Sequence, residues 1–194
     1  MYLKISAIVL AAGMSRRMGT DKLLLEYQGR SLLQRSADLL SELPVFERIL
    51  ITTCEHSEKI TLPSNMQLII NQSSENGQSE SVRLGIQAAT GTHYLFMTAD
   101  QPKLTPVDLK PFFESIEPDI IVYPVINNKP SSPTLLPARF KPELLALSGD
   151  TGGRSVRDAH PEICQAIVPA RPENFVDIDY MEDYEKLKAE TVFE

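Results

Sequence analysis

A β-branched, mostly apolar run at residues 5–10 (ISAIVL) passes directly into Ala11, Ala12 and Gly13, and then into a basic segment that makes residues 10–22 read LAAGMSRRMGTDK. Nothing else in the chain restricts the fold as much. The length and branching of the run suit a buried strand, and the small residues at its end let the backbone leave in a tight loop. Glycine has no Cβ, so amides in such a loop can approach a phosphate chain closely. Arg16, Arg17 and Lys22 face only one acid here, Asp21, although the chain as a whole carries a formal net charge of −7. That local reversal of sign marks an anion site. The spacing is neither GxGxxG nor a Walker A loop, since no Lys-Ser/Thr pair follows Gly19. From the residues alone, an ordinary solvated turn stays open as the alternative.

The rest of the chain alternates between the two periods. Leu32, Leu33, Leu39, Leu40 and Leu43 recur at helical spacing, with Ser31 placed to cap the helix and Pro44 to stop it. Residues 48–53 (RILITT), 67–70 (QLII) and 94–97 (YLFM) read as buried strands, and residues 79–89 as a helix with Val82, Ile86 and Ala89 on one face. Thr105-Pro106-Val107-Asp108 is a capping box with proline at N1, opening a helix to about residue 117. Residues 120–125 form a fifth strand, and Asn127-Asn128-Lys129 turn the chain back toward 134–136. Short helices at 139–147 and 155–159, strands at 164–168 and 175–178, and a charged, solvated helix over 181–191 complete the reading. Such alternation predicts an α/β fold whose mostly parallel sheet carries helices on both faces, with chemistry at its carboxyl edge. Periodicity does not choose the strand order.

Residues 1–194, 42% apolar, suit one domain with one core. The chain has no signal-peptide pattern and no apolar stretch of membrane length, which predicts a cytoplasmic protein without a membrane partner. Cys54 and Cys164 lack ligand spacing and read as buried or half-buried thiols. The acidic balance, without a basic or aromatic tract, argues against nucleic acid. His56 and His160 read as surface residues.

Three further segments offer chemistry. Asp100, in Thr98-Ala99-Asp100-Gln101-Pro102, follows a strand directly, where a carboxylate either holds Mg²⁺ or caps the turn. Residues 71–78 (NQSSENGQ) lead into a helix amino end, which suits a base or an anion, or serves as plain connection. Residues 148–154 (SGDTGGR) do likewise before 155–159, or merely reverse the chain.

Taken together these segments resemble the MobA-like nucleotidyltransferases. LAAG-x-S-x-R-M-G-x-x-K is similar to that family's signature, and its LAAG form resembles the molybdenum cofactor cytidylyltransferases more than the guanylyltransferases, which usually read LAGG. The resemblance implies that Leu10, Ala11, Ala12, Gly13, Ser15, Arg17 and Lys22 wrap a triphosphate, with Arg16 at a variable position. Residues 71–89 resemble N-x5-G-x3-S-[LV]-x-x-G, which places Asn71, Gly77, Ser81 and Gly85 on fixed positions of a base and ribose segment. ADQP resembles the metal motif and makes Asp100 a Mg²⁺ ligand. DIDYMEDY makes Asp179 the second ligand, although Thr-Pro is lost from the usual DIDTPEDY. The hairpin keeps Pro133, Leu135 and Leu136 of the family's G-x-P-x-L-F. Gly149, Asp150 and Arg154 fall on its GD-x-GAR, beside the pterin.

The implied architecture is a Rossmann-like three-layer sandwich of the nucleotide-diphospho-sugar transferase type with an antiparallel excursion. The implied reaction transfers CMP from CTP to the phosphate of molybdopterin or molybdenum cofactor and releases pyrophosphate, with a client molybdoenzyme downstream. Arg17, Lys22 and Asp100 would carry catalysis. If the nucleophile is itself a phosphate, no general base is required, in keeping with the lack of a convincing catalytic histidine. The rival readings are a relative using another nucleotide or acceptor, such as a sugar phosphate, and a non-catalytic carrier of the cofactor.

Overall fold

The computed structural model describes residues 3–13, 15 and 18–191. β1 (Ile5–Ala11) leads through the loop to a single 3-10 turn (Lys22–Leu24) and a small hairpin of β2 (Glu26–Tyr27) and β3 (Arg30–Ser31). Gln28 and Gly29 turn the hairpin at positive φ, 51° and 74°, as tight hairpins require. Then come α1 (Leu32–Glu42), β4 (Glu47–Thr52), α2 (Cys54–Ser57), β5 (Gln67–Ile70), α3 (Gln78–Ala88), β6 (His93–Thr98) and α4 (Pro106–Glu114). The remainder is β7 (Ile121–Ile126), β8 (Lys129–Pro130), β9 (Thr134–Pro137), α5 (Lys141–Leu145), α6 (Gly153–Ala159), β10 (Cys164–Ile167) and α7 (Met181–Thr191). Ser31 caps α1 by accepting the Gln34 amide at 3.1 Å. Thr105 and Asp108 form the reciprocal capping box of α4.

The sheet runs β5-β4-β1-β6-β9-β7-β10, with β8 beside β7. β5, β4, β1 and β6 are mutually parallel, whereas β9 is antiparallel to both β6 and β7. The chain moves outward from β1 through β4 to β5 and returns to β6 on the other side of β1. Loops leaving the carboxyl ends of β1 and β6 therefore diverge, which opens a crevice at that switch point.

Alternate residues of β1 serve two cores. Ala7, Val9 and Ala11 join Leu33 and Leu40 of α1 and Phe112 of α4, while Ile8 joins Val82 and Ile86 of α3 and Leu144 of α5. Each fully buried leucine contributes about 2 kcal/mol. Gly85 sits where α3 crosses β1, and a Cβ there would lie 2.7 Å from Ile8 Cγ2. Only glycine lets the helix lie this low on the strand.

The structure corrects several expectations. Residues 175–178 are not a strand: a 3-10 turn (Pro172–Phe175) precedes an extended connection in which the Ile178 amide donates to the Asp100 carbonyl at 2.9 Å. One face of α7 is buried, because Tyr184 and Leu187 pack on Tyr27, Leu32 and Ile178. Tyr184 Oη also donates to the Glu26 carbonyl at 2.8 Å. Cys54, the first residue of α2, is exposed, and Cys164 is half-buried. Among the described residues no helix is long and apolar enough to cross a membrane.

Candidate active site

A cavity of about 360 Å³ opens at the carboxyl ends of β1 and β6. Leu10, Ala12, Gly13, Ser15 and Lys22 line it from the first loop. Ala11 does not; it is fully buried in the core below. Gly77 and Ser81 line the wall opposite, together with Ser74, Glu75 and Gln78, which motif spacing had not singled out. Asn71 is buried behind that wall. Its Nδ2 donates to Ser81 Oγ at 2.9 Å and its Oδ1 accepts the Ser73 amide at 2.9 Å, so it shapes the loop without lining the cavity. Asp150, from the segment at residues 148–154, lines this cavity as well. Arg17 and its neighbour Arg16 lie outside the described residues.

Three side chains from distant parts of the chain meet at the cavity floor. Lys22 Nζ is 2.7 Å from Asp100 Oδ2 and 3.2 Å from Asp179 Oδ1. Burial by itself lowers the Lys22 ammonium, but the charges and hydrogen bonds of Asp100 and Asp179 outweigh it and hold the group above its ordinary value. Each partner has a local reason for its position. Asp100 stands two residues beyond β6. Asp21 caps the 3-10 turn that carries Lys22, accepting the Leu23 amide at 3.1 Å. Asp179 precedes α7, where Asp183 Oδ2 accepts the amides of Asp179 and Tyr180 at 3.2 and 2.9 Å. This Asp183 cap orders the turn in a sequence that lacks Thr-Pro.

A third carboxylate, Asp177, lies beside these. Burial, then the nearby charge of Asp100, raises its pKa to about 6, against the opposing pull of Arg154. Asp100 Oδ1 and Asp177 Oδ1 are buried with no hydrogen-bond partner. Hard carboxylate oxygens with an unsatisfied lone pair fit Mg²⁺, which completes its shell with waters and substrate phosphates. Among the described residues no group of three or more His, Cys, Asp or Glu side chains could hold a metal ion.

A smaller cavity of about 20 Å³ adjoins the first and is lined by Thr98, Ser132, Thr134, Gly153 and Arg154. Arg154 Nη2 donates to Ser132 Oγ at 2.9 Å and lies 3.5 Å from Asp177 Oδ2. Thr98 Oγ1 and Thr134 Oγ1 are buried without partners. Pro133 follows a cis peptide bond to Ser132 and does not line either cavity. Gly149, at φ +61°, sits on Gly77, at φ +93°, and a Cβ on Gly77 would come within 2.4 Å of the Gly149 carbonyl carbon. The Gly149 carbonyl accepts the Ser79 amide at 3.0 Å. The two glycine turns are therefore stacked backbone to backbone, joining the walls of the two cavities.

Both histidine expectations need revision. His56 is buried and hydrogen-bonded beneath the first loop. A single histidine in a polar connection carries no periodic signal, so only the tertiary contact reveals it. His160 is partly exposed but partnered, with Nε2 2.8 Å from Glu143 Oε2 and its ring 4.8 Å from that of Phe140.

A switch-point crevice, a glycine loop and converging carboxylates define the class as the nucleotidyltransferases of the nucleotide-diphospho-sugar transferase fold. A family model described as the MobA-like NTP transferase domain matches residues 7–163. The chain belongs to that family. It is similar to a probable molybdenum cofactor guanylyltransferase of Pyrococcus horikoshii, 36% identical over 70 residues, which cover 36% of each chain. It is also similar to the molybdenum cofactor cytidylyltransferase of Escherichia coli K12, 29% identical over 136 residues, 68% of this chain and 69% of that one. The chain thus spans about a third of the length of the first relative and about two thirds of the second. Among solved structures, a nucleotidyl transferase from Methanothermobacter thermautotroptrophicus superposes with a TM-score of 0.82 at 21% identity, over 97% of this chain and 98% of that one. At that identity the likeness speaks for the fold alone.

Proposed function

We propose that this protein transfers CMP from CTP to the terminal phosphate of molybdopterin or molybdenum cofactor. The observation that carries nucleotidyl transfer is the convergence of Lys22, Asp100 and Asp179 in one cavity at the sheet's switch point. An oxygen of the acceptor phosphate attacks the α phosphorus, the bond from that phosphorus to the bridging oxygen breaks, and pyrophosphate leaves. Catalysis of this kind is positioning plus charge stabilisation. The Gly13 and Ser15 loop binds and orients the triphosphate, and the Lys22 ammonium offsets the charge that develops on the departing pyrophosphate. Asp100 and Asp179 would hold Mg²⁺, which supplies electrostatic stabilisation of the phosphate oxygens. Arg17 is assigned to the same triphosphate. Arg154, Gly149 and Asp150 approach the acceptor side, and a client molybdoenzyme would receive the product.

The choice of CTP rests on Ala12. It lines the cavity at the position where the LAGG form of the guanylyltransferases carries glycine. The relatives' names support both bases, so the test compares them directly. Pyrophosphate release is measured with Mg²⁺, molybdopterin and either CTP or GTP. Faster release from CTP is expected. Preference for GTP overturns the base assignment, and cofactor binding without release from any nucleotide overturns transfer in favour of a carrier.

A further inference from the structure

The site as described leaves one buried, bifunctional side chain without a role. The His56 side chain is only 4% exposed. Its Nδ1 lies 3.2 Å from the carbonyl oxygen of Ala11, the last residue of β1, and its Nε2 lies 2.5 Å from Asp21 Oδ2. The other oxygen of Asp21 accepts the Leu23 amide at 3.1 Å, and the Lys22 amide donates to Ser15 Oγ at 3.1 Å. One imidazole thus joins the residue where the loop leaves the sheet to the residue immediately before Lys22. A backbone carbonyl and a carboxylate thus each face one nitrogen of the ring. Between these anchors Ser15 and Gly19 hold positive φ of 47° and 67°, and the Met18 amide donates to the Ser15 carbonyl at 3.1 Å.

We infer that His56 is a positioning residue that clamps the two ends of the phosphate loop and so fixes Lys22 against Asp100 and Asp179. This rests on the reading of Lys22 as a triphosphate ligand. The side chain touches no part of the cavity; it acts through Asp21 and Ala11. An ordinary buried histidine would support stability alone. A clamp additionally sets where the Lys22 ammonium stands when a nucleotide arrives.

The two arms can be separated. Glutamine places an amide nitrogen near the imidazole Nε2, so H56Q keeps the link to Asp21. Asparagine places one near Nδ1, so H56N keeps only the link to Ala11. D21N weakens the same link from the other side: its amide oxygen can keep the Leu23 amide, and a neutral amide nitrogen then faces His56 Nε2 in place of a carboxylate oxygen. Calorimetric titration with CTP or GTP and Mg²⁺ is expected to show weaker binding by roughly tenfold to a hundredfold in H56N and D21N, as a displaced positioning group gives. H56Q, which breaks the Ala11 arm, should weaken binding as well. The double variant H56N/D21N should lose no more than either alone, and KM should move more than kcat.

Hydrogen exchange over residues 15–24 of the ligand-free protein reads the clamp without any nucleotide. Faster exchange there, and not across the rest of the chain, in H56N, H56Q and D21N supports it. Wild-type exchange and affinity in either H56N or H56Q overturn it, since each breaks one arm. If H56N does not fold, D21N and H56Q decide the question by the same readouts. If wild-type protein binds neither CTP nor GTP, the nucleotide reading fails by itself, and the exchange pattern still decides the clamp.

Discussion

The two edges of the central sheet treat their polar groups in opposite ways. At the amino edge, Ser6 Oγ donates to Glu47 Oε2 at 2.5 Å and accepts the Gly91 amide at 3.0 Å. Glu47 also accepts the amide and hydroxyl of Thr90, while Thr92 and Lys4 exchange hydrogen bonds. His93 closes the network with Nε2 3.0 Å from the Glu117 carbonyl. At the carboxyl edge, Thr98, Asp100, Gln101, Thr134 and Asp177 each keep a buried oxygen with no hydrogen-bond partner. Arg48 Nε is the exception away from that edge, and its guanidinium is otherwise bonded to the Leu43 carbonyl. An unpaired buried polar atom costs about 1–3 kcal/mol. A fold that satisfies one edge and leaves the other unsatisfied keeps its acceptors and donors for a ligand.

The largest effect that would test this contrast is kinetic. D100N removes a charge from the floor of the crevice, and turnover measured as pyrophosphate release should fall at least about a hundredfold. Its thermal midpoint should stay within a few degrees of wild type or rise, since the variant relieves repulsion toward Asp177. Retained activity would break the assignment of Asp100.

G77A strikes the carboxyl edge through the backbone. Positive φ and the collision with Gly149 together should cost roughly 3 kcal/mol in denaturant unfolding. If G77A is neutral, the two glycine turns are not held together as the structure shows them.

E47Q tests the satisfied edge. Burial alone would raise the Glu47 carboxyl, but hydrogen bonds from Ser6, Thr90 and Gly91 outweigh it and hold it below the usual carboxylate range. A folded-state value below the unfolded one means that the unfolded chain binds more protons in acid. The stabilisation is therefore present above the unfolded value and lost as pH falls through the folded one. Unfolding of E47Q followed from neutral to acid pH should show a shallower decline than wild type, with activity at neutral pH unchanged.

T98V should be the gentlest change. It replaces an unpartnered hydroxyl by a methyl of similar shape, so stability should shift by less than about 1 kcal/mol, in the stabilising direction. The acceptor's KM should nevertheless rise. Unchanged KM together with a loss of stability would mean that Thr98 serves the fold and not the ligand.

Much of this was legible in the chain itself. The 5–10 run, the leucine stripe of α1, the Ser31 cap and the Thr105 capping box are all local patterns, with causes that lie within a few residues, and each appears where it was expected. The acids and glycines that follow β1 and β6 do meet at one edge of the sheet. Less was legible where the partner is remote. Residues 175–178 carry strand-forming residues, but the Ile178 amide is taken by Asp100. His56 sits in a polar connection, and its burial depends on Ala11 and Asp21, which no periodicity links to it.

The sequence by itself determined most of the elements, because propensity, capping and glycine conformation are short-range effects. Tertiary structure alone decided the strand order and the meeting of Lys22 with Asp100 and Asp179, 78 and 157 residues away. It likewise decided that Asp150 lines the larger cavity and that Asn71 stands behind its wall. Contacts at that separation follow from how the two cores pack against the sheet, and packing is a property of the whole chain.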